Sequence, residues 1–380
     1  MRIIVISHEY PPIGGGGANA CEYLSQGYAN KGHQVTILTV WFWGQKEFEQ
    51  INGVEIYRIK SKRKNAEHCS FIEMLDFITK AFPIASLLEK KNQYDICHIF
   101  FGIPSGIIGY YLKKRFELPY VIRFGGGDIP GFQERFAYLY KILGPFIKII
   151  WKNADALVAN SEGLREFALK FYSKKEIIII PNGVDSKKFY PPSCKQNENK
   201  NEICLLFVSR LIERKGIQFL IPKLYDIEKK TGKKIHLIIV GNGPYREKLQ
   251  KVTEEANALN YVTFAGQKSK SELLLYYQSA DIFILPSKRE GMPNVVLEAM
   301  ACGLPIIMTA CEGSRELVKM NGMICGGDLA DTVIQMISKD KLCIMGAESR
   351  MMVETSFSWD NVTKQYLSIF EEINQTIKSD

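Results

Sequence analysis

The sequence lacks the features that mark several large classes of protein. No apolar run approaches the ~20 residues that a membrane-spanning helix needs. The nine cysteines form no C-x-x-C pair and the five histidines do not cluster at metal-ligand spacing, so we expect reduced thiols and no structural metal. The net charge of +8 is a mild excess, well short of a nucleic-acid-binding stripe, so we expect no nucleic-acid partner. Such a charge favours anionic small ligands or attraction to acidic lipid headgroups.

The chain also lacks the common nucleotide-binding fingerprints. Its run of four glycines, Gly14 to Gly17, is neither a G-x-G-x-x-G followed by a ribose-binding acid at the usual distance nor a G-x-x-x-x-G-K-[ST] phosphate loop. A dinucleotide-dependent dehydrogenase is therefore the least favoured enzyme class. Successive glycines still allow the backbone to approach a ligand closely, although a flexible turn explains them equally well.

What is present is a two-domain α/β pattern. The 380 residues, 46% hydrophobic and 24% charged, are typical of a soluble globular chain of about two domains. Apolar strand candidates alternate with amphipathic stretches, as in successive βαβ units that form parallel sheets. The first series of predicted strands covers 3–7, 35–40, 54–59, 96–100, 120–124, 156–159 and 177–181, and the second covers 203–209, 235–241, 261–266, 282–286, 305–309 and 322–325.

A turn sequence at 181–185 and a polar segment at 191–201 without periodicity separate the two series. We therefore assign residues 1–185 to a first doubly wound domain and residues 186–356 to a second, with a cleft between the carboxyl ends of both sheets. Residues 357–380 predict a packing helix, because their apolar residues recur at helical spacing. The first residues predict a strand instead of a signal peptide, so we expect a cytoplasmic protein.

Two interpretations fit the segment 136–152, which is apolar nearly all round and carries Lys141, Lys148 and Lys152 on one side. An all-round apolar helix is usually buried, which predicts a domain-packing helix broken at Gly144-Pro145. The mixture of aromatic and lysine residues also suits the surface of a membrane that holds a lipid-linked substrate. The basic run 60–64 predicts a solvated loop, with contact to lipid headgroups as the second alternative.

The apolar strand 282–286 leads into a loop and a short helix. We predict that this helix opens near Pro293, which fits a first helical turn, and that Gly303 and Pro305 end it. The amino end of a helix attracts phosphate. The amides expected to point into the crevice at the carboxyl end of the strand are those of Met292, Asn294 and Val295.

Charged side chains frame the same crevice. Glu290 and Glu298 are predicted to accept hydrogen bonds from sugar hydroxyls, although two solvated glutamates would look the same in the sequence. Arg210 leaves the carboxyl end of strand 203–209 and Lys215 closes the following loop. An arginine fork and a lysine point charge together suit a diphosphate leaving group.

These motifs together resemble those of the retaining nucleotide-sugar glycosyltransferases of the GT-B fold, the large family of bacterial polysaccharide, lipopolysaccharide and mannosyl transferases. The resemblance runs nearly end to end and is most specific between Asn182 and Pro305. It implies two doubly wound Rossmann-like domains that face each other across a cleft, with the C-terminal helix crossing back to the first domain. The motifs that carry it are the glycine loop, Ile180-Pro181-Asn182-Gly183-Val184-Asp185, Val208-Ser209-Arg210 with Lys215-Gly216, Val240-Gly241-Asn242-Gly243-Pro244, and Glu290 with Glu298.

The resemblance also implies a role for each matching residue. The first domain would bind the acceptor, and the second domain would bind the nucleotide sugar. Arg210 and Lys215 would hold the donor diphosphate, Glu298 the ribose hydroxyls and Glu290 the hydroxyls of the transferred sugar. The remaining contacts implied with the donor are those of Gly16 and Gly17 beside the diphosphate, of the amides near Met292 and Asn294, and of Gln267 in the base-contacting segment.

Retention in this family is usually explained by front-face attack, in which the leaving phosphate accepts the proton of the acceptor. The resemblance therefore implies no protein nucleophile. Metal is generally dispensable in the family, and the chain contains no D-x-D sequence. Arg210 and Lys215 would supply the charge of the cation, so we expect neither a metal nor another cofactor.

The chain departs from the family at one position of the first domain. The family commonly places a histidine before Gly-x-Asp, near the reacting sugar, where this chain has Gly125. Arg123, Asp128 or His98 could partly substitute, since all three lie at carboxyl ends of predicted strands. A purely structural, hydrogen-bonded His98 is the alternative.

The sequence thus predicts transfer of a sugar from a nucleotide diphosphate to a glycan or lipid-linked acceptor, at the inner face of an acidic membrane. A nucleotide-sugar epimerase on the same fold and a non-catalytic sugar-nucleotide-binding subunit are the alternatives. The aromatic loop 41–44 and the loop 127–132 are the candidate acceptor contacts.

Overall fold

The computed structural model describes residues 1–66, 69–132, 137–193 and 201–379. Phe136 of the predicted helix 136–152 and residues 194–200 of the predicted polar segment lie outside this part of the chain. The chain forms two compact units. Unit 1 comprises Met1–Asn182 and Trp359–Asp380, and unit 2 comprises Gly183–Ser358.

Unit 1 is built on an eight-stranded sheet with the order β3-β4-β2-β1-β5-β6-β7-β8. Neighbouring strands are parallel except for β3, which pairs antiparallel with β4. Its strands are β1 (Arg2–Ile6), β2 (Gln34–Val40), β3 (Phe48–Ile51), β4 (Val54–Ile59), β5 (Ile96–Phe100), β6 (Tyr120–Arg123), β7 (Ala156–Ala159) and β8 (Ile177–Ile179).

Strand β3 is absent from the sequence prediction. Its four residues are mostly exposed and show no apolar alternation, so a search for buried strands does not find it. The signal that was available is the turn Asn52-Gly53, in which both residues adopt positive φ. An Asn-Gly pair between two short β-prone stretches is typical of a tight hairpin.

The helices of unit 1 cover both faces of its sheet. They are α1 (Gly16–Asn30), α2 (Phe71–Asn92), α3 (Gly106–Phe116), α4 (Ala137–Asn153) and α5 (Glu162–Phe171). Side chains of β1 alternate between the two cores: Ile4 and Ile6 pack with α2 to α5, whereas Ile3 and Val5 pack with α1. This double coverage is why the strands are apolar throughout.

Unit 2 has a six-stranded parallel sheet with the order β11-β10-β9-β12-β13-β14. Its strands are β9 (Glu202–Val208), β10 (Lys234–Val240), β11 (Val262–Gly266), β12 (Ile282–Leu285), β13 (Ile306–Thr309) and β14 (Gly322–Cys325). Its helices are α6 (Leu224–Thr231), α7 (Arg246–Glu255), α8 (Lys270–Ser279), α9 (Asn294–Ala301), α10 (Ser314–Leu317), α11 (Leu329–Ser338) and α12 (Leu342–Ser356).

The last helix, α13 (Trp359–Ser379), belongs to unit 1. Its residues Val362, Tyr366 and Phe370 are buried in the core that α1 shares with the sheet. Gly27 of α1 lies so close to it that an added Cβ would stand 2.4 Å from Thr363 Oγ1. The C-terminal helix therefore crosses back to the first domain, as the resemblance implied.

The chain changes units at Asn182–Gly183 and again at Ser358–Trp359, whereas the sequence analysis places these changes after Asp185 and before Phe357. The reason lies in the backbone of unit 2. The amide of Val184 donates to the carbonyl of Phe357 (2.8 Å), and Val184 forms a parallel β-bridge with Ser358. This pairing places residues 183–185 and 357–358, which the sequence analysis had assigned outside unit 2, within unit 2.

Helix α4 differs from the broken, buried helix that was the first interpretation of segment 136–152. It runs continuously from Ala137 to Asn153 with Pro145 inside it. One face is buried through Tyr140, Ile147 and Trp151, while other apolar side chains of the same helix are exposed. Within the part of the chain that the structure describes, no helix has the length and apolar composition required to cross a membrane.

Candidate active site

The loops after β9, β10, β11 and β12 lie at one edge of the unit 2 sheet, because these strands are parallel and their carboxyl ends meet there. This edge brings together the predicted residues Arg210, Lys215 and Glu290 and the start of α9. A crevice at the carboxyl ends of such strands is where doubly wound proteins bind ligands.

The backbone that carries Arg210 is fixed by the turn after β10. The amide of Leu211 donates to Asn242 O (2.9 Å), and the amide of Tyr245 donates to Leu211 O (3.0 Å). A Cβ on Gly241 would stand 1.9 Å from Ser209 O, and φ at Gly241 is +133°, so only glycine fits there. The predicted motif Gly241–Pro244 therefore allows the loop after β10 to pack directly against the loop after β9.

Lys215 and Glu290 form a direct ion pair between Lys215 Nζ and Glu290 Oε1. Both side chains are largely buried, with 12% and 11% of their surfaces exposed. The two residues lie 75 positions apart in sequence, which is why sequence reasoning placed them in one crevice without pairing them. The pair sets a cation and an anion side by side at the edge of the sheet.

Residues that follow β13 hold the loop that carries Glu290 by hydrogen bonds. The amide of Gly313 donates to Glu290 O (3.0 Å), and Glu312 Oε2 accepts from the amide of Glu290 (3.1 Å). A Cβ on Gly313 would stand 1.7 Å from Gly291 O. Sequence reasoning missed Glu312 and Gly313, although their place directly after strand 305–309, beside the strand that leads to Glu290, was an available signal.

Helix α9 begins at Asn294, one residue later than predicted. Pro293 is its N-cap in an extended conformation, with φ −73° and ψ 121°, and so precedes the first turn instead of occupying it. Gly303 follows the helix with a positive φ of 75°, as expected of a helix end. Met292 is buried, while Asn294 and Val295 are partly exposed.

Glu298 lies on α9 against α8. Its Oε2 accepts a hydrogen bond from Tyr277 Oη (2.9 Å). Burial raises the pKa of Glu298 to about 7, opposed by this hydrogen bond and by the charges of Lys270 and Lys188. Tyr277, which sequence reasoning missed, is itself buried, and its pKa is raised well above the usual value by burial first and by Glu298 second.

Gln267 follows β11, the edge strand of the sheet, and its side chain is exposed. Its neighbour Gly266 accepts a hydrogen bond from the amide of Gly241 (2.8 Å). Gln267 thus lies on the edge that carries Arg210, but at the far end from β12 and Glu290, with β10 and β9 between.

In unit 1 the glycine loop leads directly into α1, which begins at Gly16 instead of near Ala18. Gly14 has φ +88°, and its amide donates to Ala66 O (2.8 Å). Arg63 of the basic run is buried and donates to Asn65 O (2.7 Å) and Ala66 O (3.3 Å), so the run 60–64 is not wholly solvated.

Phe101, which directly follows β5, fills the space between two glycines of unit 1. A Cβ on Gly17 would stand 2.4 Å from Phe101 Cζ, and one on Gly125 would stand 2.5 Å from Phe101 Cε1. The ring meets His8 edge-on at 4.8 Å, and φ at Phe101 is +70°, rare for an aromatic residue. The space beside Gly125 is therefore occupied by an apolar ring.

The three side chains considered as substitutes for the family histidine are all buried. Arg123 donates to Asn182 Oδ1, and Asp128 accepts from the amides of Gly102 (2.5 Å) and Gly125 (2.8 Å). Burial raises the pKa of Asp128. These contacts give both residues a structural role in holding the loops of unit 1.

His98 lies in the core between α1, α13 and the sheet. Tyr28 Oη lies 3.1 Å from its Nδ1, and the rings of Phe100, Tyr366 and Phe370 surround it. Burial holds the pKa of His98 well below its usual value. The structure supports the structural alternative for this residue.

No group of three or more His, Cys, Asp or Glu side chains that could hold a metal ion occurs among residues 1–66, 69–132, 137–193 and 201–379. The eight cysteines in these ranges are all free thiols.

Two family models match consecutive parts of the chain. Residues 14–188 match Glycosyltransferase Family 4, and residues 193–348 match Glycosyl transferases group 1. The chain is a glycosyltransferase of the GT-B fold. Its fold agrees with that of sucrose-phosphate synthase from Thermosynechococcus elongatus, with a TM-score of 0.81 and 22% identity over 99% of this chain and 100% of that one.

Two of the curated relatives of this glycosyltransferase have names that refer to glycolipids. The alpha-monoglucosyldiacylglycerol synthase of Streptococcus pneumoniae is 26% identical over 88% of this chain and 78% of its own length. The GDP-mannose-dependent alpha-(1-6)-phosphatidylinositol monomannoside mannosyltransferase of Mycobacterium tuberculosis is 26% identical over 95% of this chain and 96% of its own.

Proposed function

We propose that this glycosyltransferase moves a sugar, with retention of its anomeric configuration, from a nucleotide diphosphate donor to a glycan or lipid-linked acceptor in cell-surface polysaccharide or glycolipid synthesis. The observation that carries the proposal is the Lys215–Glu290 ion pair beside the Arg210 loop, at the carboxyl edge of the unit 2 sheet. Two cations that suit a diphosphate therefore lie at the same edge of the sheet as a carboxylate that suits sugar hydroxyls.

In this proposal Arg210 and Lys215 bind the donor diphosphate. As the glycosidic bond breaks, negative charge grows on the leaving phosphate, and fixed cations in a partly buried site stabilise that charge strongly. Lys215 then has two anionic partners, Glu290 and the phosphate. Glu290, held in place by Lys215 and by the amide of Gly313, accepts hydrogen bonds from the transferred sugar.

The remaining predicted residues complete the donor site. Glu298 would bind the ribose hydroxyls, Gln267 would contact the base, and the start of α9 would meet donor oxygens through Met292, Asn294 and Val295. Gly16 and Gly17 would lie beside the diphosphate. The amino end of α9 supports this assignment, because helix amides and the helix dipole favour negative charge.

Retention follows if the acceptor hydroxyl attacks the face from which the phosphate leaves. The bond between the anomeric carbon and the phosphate oxygen breaks, the bond to the acceptor oxygen forms, and the acceptor proton passes to the leaving phosphate. This route requires no protein nucleophile. We propose that it also requires no metal, because Arg210 and Lys215 supply positive charge.

The acceptor is proposed to bind unit 1 near the loops 41–44 and 127–132. Trp43 is exposed and its ring lies 5.9 Å from that of Trp41, which suits stacking on a sugar face or a lipid. The names of the two curated relatives support a lipid-linked acceptor. We accordingly propose a cytoplasmic enzyme that makes peripheral contact with the inner face of an acidic membrane.

The test is substitution of Arg210→Ala and Glu290→Ala, with Arg214→Ala as the matched control. Arg214 belongs to the same loop, but its exposed side chain donates only to the carbonyl of Arg289 (2.8 Å) among its described contacts. We expect the first two variants to fold and to lose transfer by at least about 100-fold, by analogy with loss of a charge-stabilising donor. Undiminished turnover in both would refute the assignment.

Two observations favour the alternative functions, an epimerase and a non-catalytic binding subunit. A Glu298 carboxyl with a pKa of about 7 is a titratable group of the kind an epimerase needs. Incorporation of solvent deuterium into the sugar without any acceptor would establish that activity. The apolar Phe101 ring beside Gly125 favours a binding subunit, for which we would expect donor binding without donor hydrolysis.

A further inference from the structure

Helix α4 carries an exposed apolar stripe. Four of its side chains have exposed fractions of 79%, 61%, 39% and 44%, namely Tyr138, Ile142, Phe146 and Ile149. At about 100° per residue these positions fall within an arc of about 80° on one side of the helix. The opposite side is buried through Tyr140, Ile147, Ile150 and Trp151. The stripe is thus a second apolar face in addition to the one that packs on the core.

A row of lysines borders this stripe. Lys141, Lys148 and Lys152 are exposed and lie on the adjoining side of the helix, between the stripe and the buried face. The sequence from Ala137 to Asn153 contains no aspartate or glutamate. An apolar stripe with aromatic residues beside a purely basic row is typical of helices that lie in the plane of a membrane interface.

A basic pocket adjoins the row. It is lined by Lys148, Lys152, Lys174 and Lys175 together with Phe171 and Tyr172. The ammonium of Lys148 lies 5.1 Å from the centre of the Phe171 ring. Lys175 donates to the carbonyl of Ala154, and the nearby Asp155 is engaged by Lys113 at 2.6 Å. Lys148, Lys152 and Lys174 therefore contribute three exposed cationic residues to the lining of one pocket.

We propose that α4 is a membrane-docking surface whose apolar stripe enters the headgroup region of an anionic bilayer, while the lysine pocket takes the phosphate of an acidic lipid. Charge complementarity selects this occupant. A second copy of the chain would bring its own lysine row against this one, which like charges oppose. The inference rests on the proposed function only in that a lipid-linked acceptor would lie in the same membrane.

The test is binding of the full chain to vesicles, which needs neither donor nor acceptor. We expect the protein to bind vesicles of phosphatidylcholine mixed with phosphatidylglycerol, to bind phosphatidylcholine alone weakly, and to dissociate as salt is raised. Replacing Lys148, Lys152 and Lys174 with serine should lower binding roughly ten- to hundred-fold, from the attraction of each basic residue to an acidic surface. Ile142→Ser with Ile149→Ser should also lower binding, on both vesicle types.

The matched controls are exposed residues of unit 2. Serine at Lys229, Lys251 and Lys339, and serine at Leu259 and Leu275, should leave vesicle binding within about two-fold, because these side chains lie off the proposed surface. Equal losses in the control and α4 variants would overturn the proposal, as would no vesicle binding by the wild type. A dimer that the Ile142 and Ile149 substitutions dissociate, without any vesicle binding, would assign the stripe to a second copy.

The membrane-docking surface and the proposed transferase activity can be refuted independently of each other. Donor binding and donor hydrolysis should be unchanged in the α4 variants, since all the substituted residues lie outside the donor loops. Loss of vesicle binding with intact donor chemistry supports the docking surface, whereas intact vesicle binding with no donor chemistry refutes only the proposed activity. Inorganic phosphate at matched ionic strength should not displace the protein from vesicles, and full displacement would show that the pocket takes free phosphate instead.

Discussion

The ion pair between Lys215 and Glu290 explains how carboxylates and a phosphate site can share one edge. A carboxylate near a phosphate is unfavourable unless a cation lies between them. Lys215 meets Glu290 directly, and the same loop after β9 carries Arg210. Glu290 can therefore lie near an anionic donor without facing it as an unpaired charge.

Glu298 should make the stability of the protein depend on pH. Because burial raises its folded pKa from 4.5 to about 7, the folded state holds its proton over a range in which the unfolded state has released it. The free energy of unfolding should therefore fall as pH rises from about 4.5 to 7, by on the order of 1–3 kcal/mol. Glu298→Gln should flatten this dependence. Urea unfolding across this pH range checks the prediction, and parallel curves for both proteins would contradict it.

The ring of Phe101 should make Gly125 intolerant of even a methyl group. Gly125→Ala places Cβ 2.5 Å from Phe101 Cε1, so the ring must move, and we expect a loss of about 1–3 kcal/mol as for other overpacked sites. Gly326→Ala is the control, because its Cβ would meet nothing within 4 Å and φ there is not positive. Thermal and urea unfolding measure the difference.

A double variant tests whether the steric clash with the Phe101 ring causes the loss of stability in Gly125→Ala. If the Phe101 ring is the obstacle, Phe101→Leu combined with Gly125→Ala should lose less stability than the sum of the two single changes. Strict additivity would show that the cost of Gly125→Ala arises elsewhere.

At the scale of the element, the turn that ends at Gly216 should depend on close contact with β12. Gly216 and Gly232 both end a helical turn with positive φ, 77° and 65°. A Cβ on Gly216 would stand 2.0 Å from Pro286 O, whereas one on Gly232 would meet nothing within 4 Å. Both changes to alanine strain the backbone, but only the first separates the Lys215 turn from the strand that leads to Glu290.

We therefore expect Gly232→Ala to cost about 1 kcal/mol and Gly216→Ala about 2–4 kcal/mol, the excess being steric. Gly216→Ala should also weaken binding of a nucleotide diphosphate, because Lys215 moves. Equal losses of stability, with nucleotide binding unchanged in both variants, would show that the contact between the turn and β12 has no bearing on the site.

Element boundaries were predictable where local chemistry determines them. Strands β4, β5, β7 and β14 begin and end where the apolar runs do. The exposed strand β3 was missed, because its place depends on the Asn52-Gly53 hairpin instead of on burial. The exposed stripe of α4 also did not follow from periodicity, since an apolar helix does not reveal which of its faces meets the core.

For the whole molecule, the repeated strand–helix pattern was sufficient to predict two parallel α/β halves, and the comparisons confirm the GT-B fold. The crossing of α13 back to unit 1 came from the resemblance, because an amphipathic helix does not encode its partner. The Lys215–Glu290 contact and the Phe101 ring beside Gly125 were not predictable, since each joins loops that only the completed sheet brings together.

Thermal unfolding in the presence of nucleotide sugars tests the donor site most directly. A ligand that binds only the folded state stabilises it by RT ln(1 + [L]/Kd). We expect at least one nucleotide diphosphate sugar to raise the Tm of the wild type in the presence of a metal chelator, to raise that of Arg214→Ala equally, and to leave that of Arg210→Ala unchanged. No shift with any nucleotide sugar, or the same shift in wild type and Arg210→Ala, would contradict the proposed donor site.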